Sequence, residues 1–327
     1  AKFLLGRSNR GMSTTQFSSP YIPTTDDDRS AMLSAIGIKS VEELFEDIPS
    51  NLRNPNLNLP PQLSEMELRE ELRVLANRNI QPGAYASFLG AGVYRHFTPA
   101  VVGAIASRGE FATSYTPYQP EVSQGTLQAS FEFQTMTSQL LGMEAANAGM
   151  YDGATSLAEA ALMACRITGK SRVAVLETVS PDYVEVARTY AEPQAIEIYT
   201  VPPTGEGLKP DTACLLIQHP NFFGYLEDLA QLVHEAHQQG ALACVSTDPV
   251  AMALFKSPGA YDADIATAEG QALGIPPSFG GPYVGLFGCK QQYLRQMPGR
   301  VVGKTTDNRG RTGYVLTLQT REQHIRR

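Results

Sequence analysis

Cysteine is scarce in this sequence. The four that occur, Cys165, Cys214, Cys244 and Cys289, lie far apart and form no CxxC pair. Three sit in or beside short apolar runs and Cys165 in a helical pattern, so the expected state is a buried free thiol in a reducing compartment, not a disulfide framework. Long apolar runs are missing as well. Nothing approaches the ~18 apolar residues of a membrane span, and the opening "AKFLL" is too short for the core of a signal peptide, which points to a soluble, cytoplasmic protein. Basic runs are missing too: the net charge of −7 is spread along the chain without an Arg/Lys cluster spaced by aromatics. This argues against nucleic-acid or anionic-membrane partners and leaves a small neutral or anionic ligand. The five histidines show no metal-ligand spacing, and His234 and His237 read as a solvent-facing helical pair. No internal repeat or low-complexity segment is present.

What is present suits a folded α/β chain. Hydrophobic residues make up 43% of the 327 and charged residues 18%, which is enough to build a large core and too apolar for disorder. Residues 1–11 do not share the pattern that follows Met12 and read as a tag or linker. Residues 12–80 then read as an N-terminal helical arm. Capping boxes at Thr25 with Asp28, Ser40 with Glu43 and Ser64 with Glu67 predict short helices. Leu68, Leu72 and Leu75 share a face of the last one, and the stretch "PSNLRNPNLNLPPQ" between them is extended. Such an arm suits lying across another surface better than forming a core.

Beyond it the texture becomes alternating. "RVAVLE" (172–177), "AIEIYTV" (195–201), "ACLLIQ" (213–218) and "LACVST" (242–247) read as strands covered on both faces, separated by helical stretches. Strand, helix, strand in this order predicts right-handed crossovers and a mostly parallel sheet, with ligands outside the carboxyl ends of the strands.

Four segments near those ends are candidates for chemistry. In "MYDGATSLAEAA", Gly153 to Ser156 open a helix and offer N–H groups and hydroxyls to an anion, or simply cap the helix. His219 suits stacking on a planar ring, or a structural hydrogen bond. Asp248 suits a place opposite a pyridinium nitrogen, or capping of the turn before Pro249. The glycine-rich loop "AEGQALGIPPSFGGPYVG" (268–285) comes last, with Gln271 where a Schiff-base lysine is expected. An amide nitrogen cannot condense with an aldehyde. In order, these four follow a pyridoxal-phosphate enzyme of the aspartate-aminotransferase fold. Lys256 and Lys290, the alternatives for an independent enzyme, read as surface charges. Upstream, Tyr115, Tyr118, Gln119 and Glu121 sit on a proline-stiffened loop that suits a binding surface, and "FLGAGVYRHFTP" offers Tyr94 and His96 in the same way.

The segments "YIPTTDDDRSAMLSAIG", "FLGAGVYRHFTPAVV", "TSYTPYQPEVSQGTLQASFEFQT", "EGQALGIPPSFGGPYVG" and "GYVLTLQTREQHIRR" together resemble the glycine decarboxylase P-protein family, from about residue 20 to the end. The opening "YIPTT" favours its split first subunit over the N-terminal half of a fused chain. The resemblance implies an α/β, aspartate-aminotransferase-like (fold type I) large domain over residues 81–305 and the start of a truncated small domain over 306–327. It further implies that Gln271 falls on the lapsed lysine position and that Asp248 and His219 are remnants. Pyridoxal phosphate would then be held by a lysine-bearing second subunit, not covalently by this chain. The implied reaction takes CO2 from glycine and passes the aminomethyl group to the lipoyl arm of H-protein. Tyr115 and Tyr118 would then form part of a shared active-site wall, with Tyr94, His96, Gln119 and Glu121 at the substrate or subunit interface. Many relatives read "EFYTAYTPYQ" where this chain has "EFATSYTPYQ", so no role of a tyrosine at Ala112 carries over. The alternative function is a non-catalytic scaffold or regulatory subunit that contributes no active-site residue.

Overall fold

The computed structural model describes residues 23–318, except 54, 56, 57, 61, 62, 81, 82, 87, 89–91, 114 and 118. The chain divides into two compact units between residues 79 and 80.

In the first unit, helix α1 (Asp26–Ile36) begins where Thr25 Oγ1 accepts the Asp28 N–H at 3.2 Å and the Asp28 carboxylate accepts the Thr25 N–H at 2.9 Å. The Thr25 hydroxyl, which donates to the same carboxylate at 2.6 Å, and then the Thr25 N–H hold the Asp28 carboxyl below its ordinary range. Gly37, at φ 86°, ends the helix in the left-handed region that suits glycine. Helix α2 (Glu65–Ala76) starts in the same way at Ser64 and Glu67. The box at Ser40 opens only a 3₁₀ turn, Val41–Phe45. Pro49 follows closely and disfavours helical backbone at Ile48. Neither α1 nor α2 buries a residue.

The second unit begins with short helices α3 (Ala100–Ala106) and α4 (Gly109–Ala112), then α5 (Gln124–Leu141) and the edge strand β1 (Ala145–Ala146). Helix α6 (Gly153–Thr168), β2 (Arg172–Leu176), α7 (Pro181–Ala191), β3 (Glu197–Val201), β4 (Thr212–His219), α8 (Leu229–Gln238) and β5 (Leu242–Thr247) follow. Strands β6 (Ile265–Glu269) and β7 (Gly285–Cys289) complete a seven-stranded sheet of order β1-β7-β6-β5-β4-β2-β3. From β3 to β6 all neighbours are parallel, while β7 runs antiparallel to both β6 and β1.

The sheet is the core. Leu215, Leu216 and Ile217 of β4 are at most 1% exposed. Burying each such side chain contributes about 1.5–3 kcal/mol before entropy is counted. Alternation along β6 sends Ile265 into the cluster with α6 and the neighbouring Ala266 and Ala268 into the cluster with Leu141 of α5, so these two helices cover opposite faces. Alanines at 160, 161 and 164 let α6 lie close to the sheet. All four cysteines are free and buried, and burial pushes the Cys165 and Cys289 thiols up to about 12. Among the described residues no helix is long and apolar enough to cross a membrane.

A two-stranded hairpin, β8 (Val301–Thr306) with β9 (Thr312–Thr317), packs on α5. Gln134 donates to the Val302 carbonyl at 3.0 Å and accepts its N–H at 2.8 Å. Gln124 makes the same pair with Tyr314, at 2.8 Å in both directions.

Candidate functional site

A cavity of about 280 Å³ opens at the carboxyl ends of β4, β5 and β6, where a doubly wound sheet is expected to bind. Gln218 ends one wall, Ser246, Thr247 and Asp248 a second, and Glu269 and Gln271 a third. Tyr183 enters from α7, and Tyr94 and His96 enter from the loop before α3. Phe222 and Asn221 line the far side. Among the described residues no group of three or more His, Cys, Asp or Glu side chains is placed to hold a metal ion.

Gln271 is 1% exposed and opens a 3₁₀ turn, Gln271–Leu273, directly beyond β6. Its amide is committed at both ends: Nε2 donates to the Ile275 carbonyl at 2.5 Å, and Oε1 accepts the Tyr94 N–H at 3.3 Å. Glu269, two residues earlier, reaches the head of α6. One carboxylate oxygen accepts the Gly153 N–H at 2.8 Å and the other the Gln271 N–H at 2.9 Å. Burial pushes the Glu269 carboxyl above its ordinary range, against the pull of those two N–H groups. The same burial, with Glu269 and Asp152 nearby, pushes the Tyr183 phenol up strongly.

The head of α6 is closed from within. Asp152 accepts the Thr155 N–H at 2.7 Å, while Thr155 Oγ1 and Ser156 Oγ both donate to the Asp152 carbonyl, at 3.1 and 2.7 Å. Of the two sequence readings, Thr155 therefore serves the helix cap. Glycine is required at 153, because a Cβ there would stand 2.6 Å from the Tyr183 hydroxyl and 2.9 Å from Glu269 Cβ. Glycine is required at 285 as well, where a Cβ would meet Ser156 Oγ at 2.0 Å.

The other candidates separate into lining and non-lining groups. Tyr94 and His96 line the cavity with Gln271. Asp248 also lines it, yet it is exposed, and its Oδ1 accepts the Val250 N–H at 2.8 Å, the turn-capping alternative. His219 is buried in the wall, not displayed in the cavity. Its Nδ1 accepts the Glu227 N–H at 3.1 Å, and its ring meets Phe255 edge-on at 6.3 Å. Burial holds this imidazole below its ordinary pKa. Tyr115 is 93% exposed and, with Gln119 and Glu121, is not among the described residues lining this cavity. Tyr118 and Ser114 lie outside the described residues.

Two readings from sequence are corrected. His237 does not face solvent: its Nε2 pairs with Asp264 at 2.7 Å, because α8 lays this residue over the buried start of β6. Lys290 is no surface charge either, since Nζ donates to Asp264 and Asp262, each at 2.8 Å. Lys256 is exposed. Sequence reasoning passed over Glu269 and Tyr183. The one signal for Glu269 was an acid immediately after an apolar strand and before the glycine-rich loop.

A pyridoxal phosphate group would need an amine, an open anion cradle, a ring-stacking partner and a carboxylate facing its ring nitrogen. Position 271 offers an amide, the head of α6 is filled by Glu269 and Asp152, and His219 is turned into the wall. The residues of this cleft do not fit the group.

Residues 19–327 match the sequence profile of the family described as glycine cleavage system P-protein. A protein of Desulforamulus reducens named "Probable glycine dehydrogenase (decarboxylating) subunit 1" is 51% identical over 317 residues, covering 94% of this chain and 71% of the relative. One of the same name from Halalkalibacterium halodurans is 50% identical over the same shares of both chains. A solved structure described as glycine decarboxylase (P-protein) of the glycine cleavage system, in inhibitor-bound form, matches with TM-score 0.86 and 44% identity over 94% of this chain and 74% of that one. A sphingosine-1-phosphate lyase from Burkholderia pseudomallei, at 15% identity and TM-score 0.52 over 82% of this chain and 68% of its own, shares the fold alone. The fold is thus the aspartate-aminotransferase-like α/β fold expected from the sequence. By profile, sequence and structure together, the chain belongs to the glycine cleavage system P-protein family.

Proposed function

We propose that this chain is the lysine-lacking subunit of a heteromeric glycine dehydrogenase (aminomethyl-transferring, decarboxylating), working with a second subunit that holds pyridoxal phosphate. In this reading glycine gives up CO2 and its aminomethyl group passes to the lipoyl arm of H-protein. The cofactor supplies an electron sink from the partner's side. The observation that carries the reading is Gln271, a buried amide tied at both ends where a lysine would have to be free. This chain then contributes surfaces: the proline-stiffened loop with Tyr115, Tyr118, Gln119 and Glu121 forms part of the shared active-site wall. The arm of residues 12–80, whose helices bury none of their own residues, packs on the partner.

Exchange of labelled CO2 into glycine, with lipoylated H-protein present, tests this for the chain alone, the second subunit alone and the mixture. Activity is expected from the mixture only. Exchange by this chain alone, or a mixture no more active than the second subunit, overturns the proposal.

A further inference from the structure

Loss of a lysine removes only the covalent hold on an aldehyde cofactor. A phosphate group is held separately, by N–H groups at a helix N-terminus and by the helix dipole, and that hold survives any change at position 271. In this chain it is closed by another residue.

We propose that Glu269 acts as an internal anion at the head of α6, taking the place of a phosphate and closing the cleft to phosphorylated ligands. Its two oxygens join the first N–H of α6, at Gly153, to the N–H of Gln271, at 2.8 and 2.9 Å. The Thr155 N–H is taken by a second carboxylate, Asp152, at 2.7 Å. Space is taken along with the donors, since even a methyl group on Gly153 would meet Tyr183 at 2.6 Å and Glu269 Cβ at 2.9 Å. Charge acts in the same direction. A phosphate at this helix end would stand beside Glu269 and Asp152 in a half-buried pocket, where like charges repel strongly. After burial, those same two carboxylates are the largest causes of the upward push on the Tyr183 phenol, in keeping with a negative field. Glu269 thus has two effects: it satisfies a helix end that would otherwise need an anion, and it makes the cleft selective against one. A cleft that had merely lost its lysine would still collect free pyridoxal phosphate in competition with a catalytic site.

The experiment uses the full chain without a partner and reads no turnover, so its result is independent of the proposed reaction. Inorganic phosphate and pyridoxal phosphate are titrated into the unaltered chain, Glu269→Ala and Glu269→Gln, with binding followed by phosphorus NMR and thermal unfolding. The unaltered chain is expected to show no saturable phosphate binding and no rise in Tm beyond that given by matched chloride. Glu269→Ala is expected to unfold at lower temperature and to be restored by phosphate, binding it about tenfold or more tightly than the unaltered chain. Glu269→Gln keeps an acceptor for Gly153 without the charge, so it stays folded and shows a smaller gain; if the alanine variant fails to fold, this variant decides. Saturable phosphate binding by the unaltered chain, with the Gly153 and Thr155 amide signals moving, overturns the proposal. Folded variants that bind phosphate no better than the unaltered chain overturn it too, and leave Glu269 a helix cap only.

Discussion

The side-chain carbonyl of Gln271 accepts the backbone N–H of Tyr94, 177 residues away in the sequence, at 3.3 Å. One buried amide therefore ties the loop before α3 to the turn after β6. Replacing it by lysine substitutes a group with donors only, leaving the Tyr94 N–H facing a cation. Gln271→Lys is expected to lower stability by about 1–3 kcal/mol, read as a fall in urea midpoint at unchanged m. Borohydride treatment with pyridoxal phosphate should leave no adduct at position 271 in the unaltered chain or the variant, because the head of α6 remains filled. A mass shift on the variant's peptide that spans position 271 would refute this.

His219 sets an acid limit on stability. Burial lowers its folded pKa below the ordinary 6.5, with Glu227 acting weakly the other way. As pH falls through the ordinary value, the unfolded chain takes up the proton first. The contribution is therefore present above about 6.5 and lost progressively below it. Urea unfolding across this range should show a shallower acid slope for His219→Asn than for the unaltered chain. Equal slopes would mean that His219 titrates in the fold as it does in the unfolded chain, and would overturn the depressed value.

The fold was largely legible in the sequence for a physical reason. Strands covered on both faces must be continuously apolar, so β2, β4 and β5 stood out, and Thr25 and Ser64 marked helix starts by bonds made within three residues. The site was less legible. Gln271 was visible from the loop it occupies, but Glu269 meets its partner Gly153 across 116 residues, and His237 meets Asp264 across 27. Periodicity and capping describe neighbours in the chain, whereas these pairs exist only once the sheet has brought two strand ends and a helix end together. The 3₁₀ turn at Val41–Phe45 differs from the expected helix because a capping box starts a helix without setting its length.

The cluster around Asp264 should be the most fragile polar point of the second unit. Asp264 is 2% exposed and accepts from His237 at 2.7 Å, the Ala243 N–H at 2.9 Å and Lys290 at 2.8 Å. Asp264→Ala removes one side of a buried ion pair and leaves an N–H unsatisfied. A loss of about 3–5 kcal/mol is expected from denaturant unfolding. A loss below about 1 kcal/mol would show water replacing the carboxylate.

For Tyr115, a residue 93% exposed, packing within this chain gives little reason for a phenol. Under the proposed function, Tyr115→Phe in the assembled enzyme should lower CO2 exchange about tenfold or more, the loss of one hydrogen bond made chiefly in the transition state. Subunit affinity should be unchanged. Unchanged exchange would assign the residue to packing against the partner instead.

The two glutamine clasps on the β8–β9 hairpin also occupy edge positions that an added strand would need. Val302 and Tyr314 are among the residues whose peptide groups face outward from β8 and β9, because their N–H and carbonyl groups are bonded to Gln134 and Gln124, not across the ladder. A two-stranded ribbon has two open rims, and each is a template on which a stray strand can stack. Helix α5 places an amide on each rim, imitating a neighbouring strand one residue long. At each of these two points a further strand would have to displace a glutamine that already fills both the donor and the acceptor.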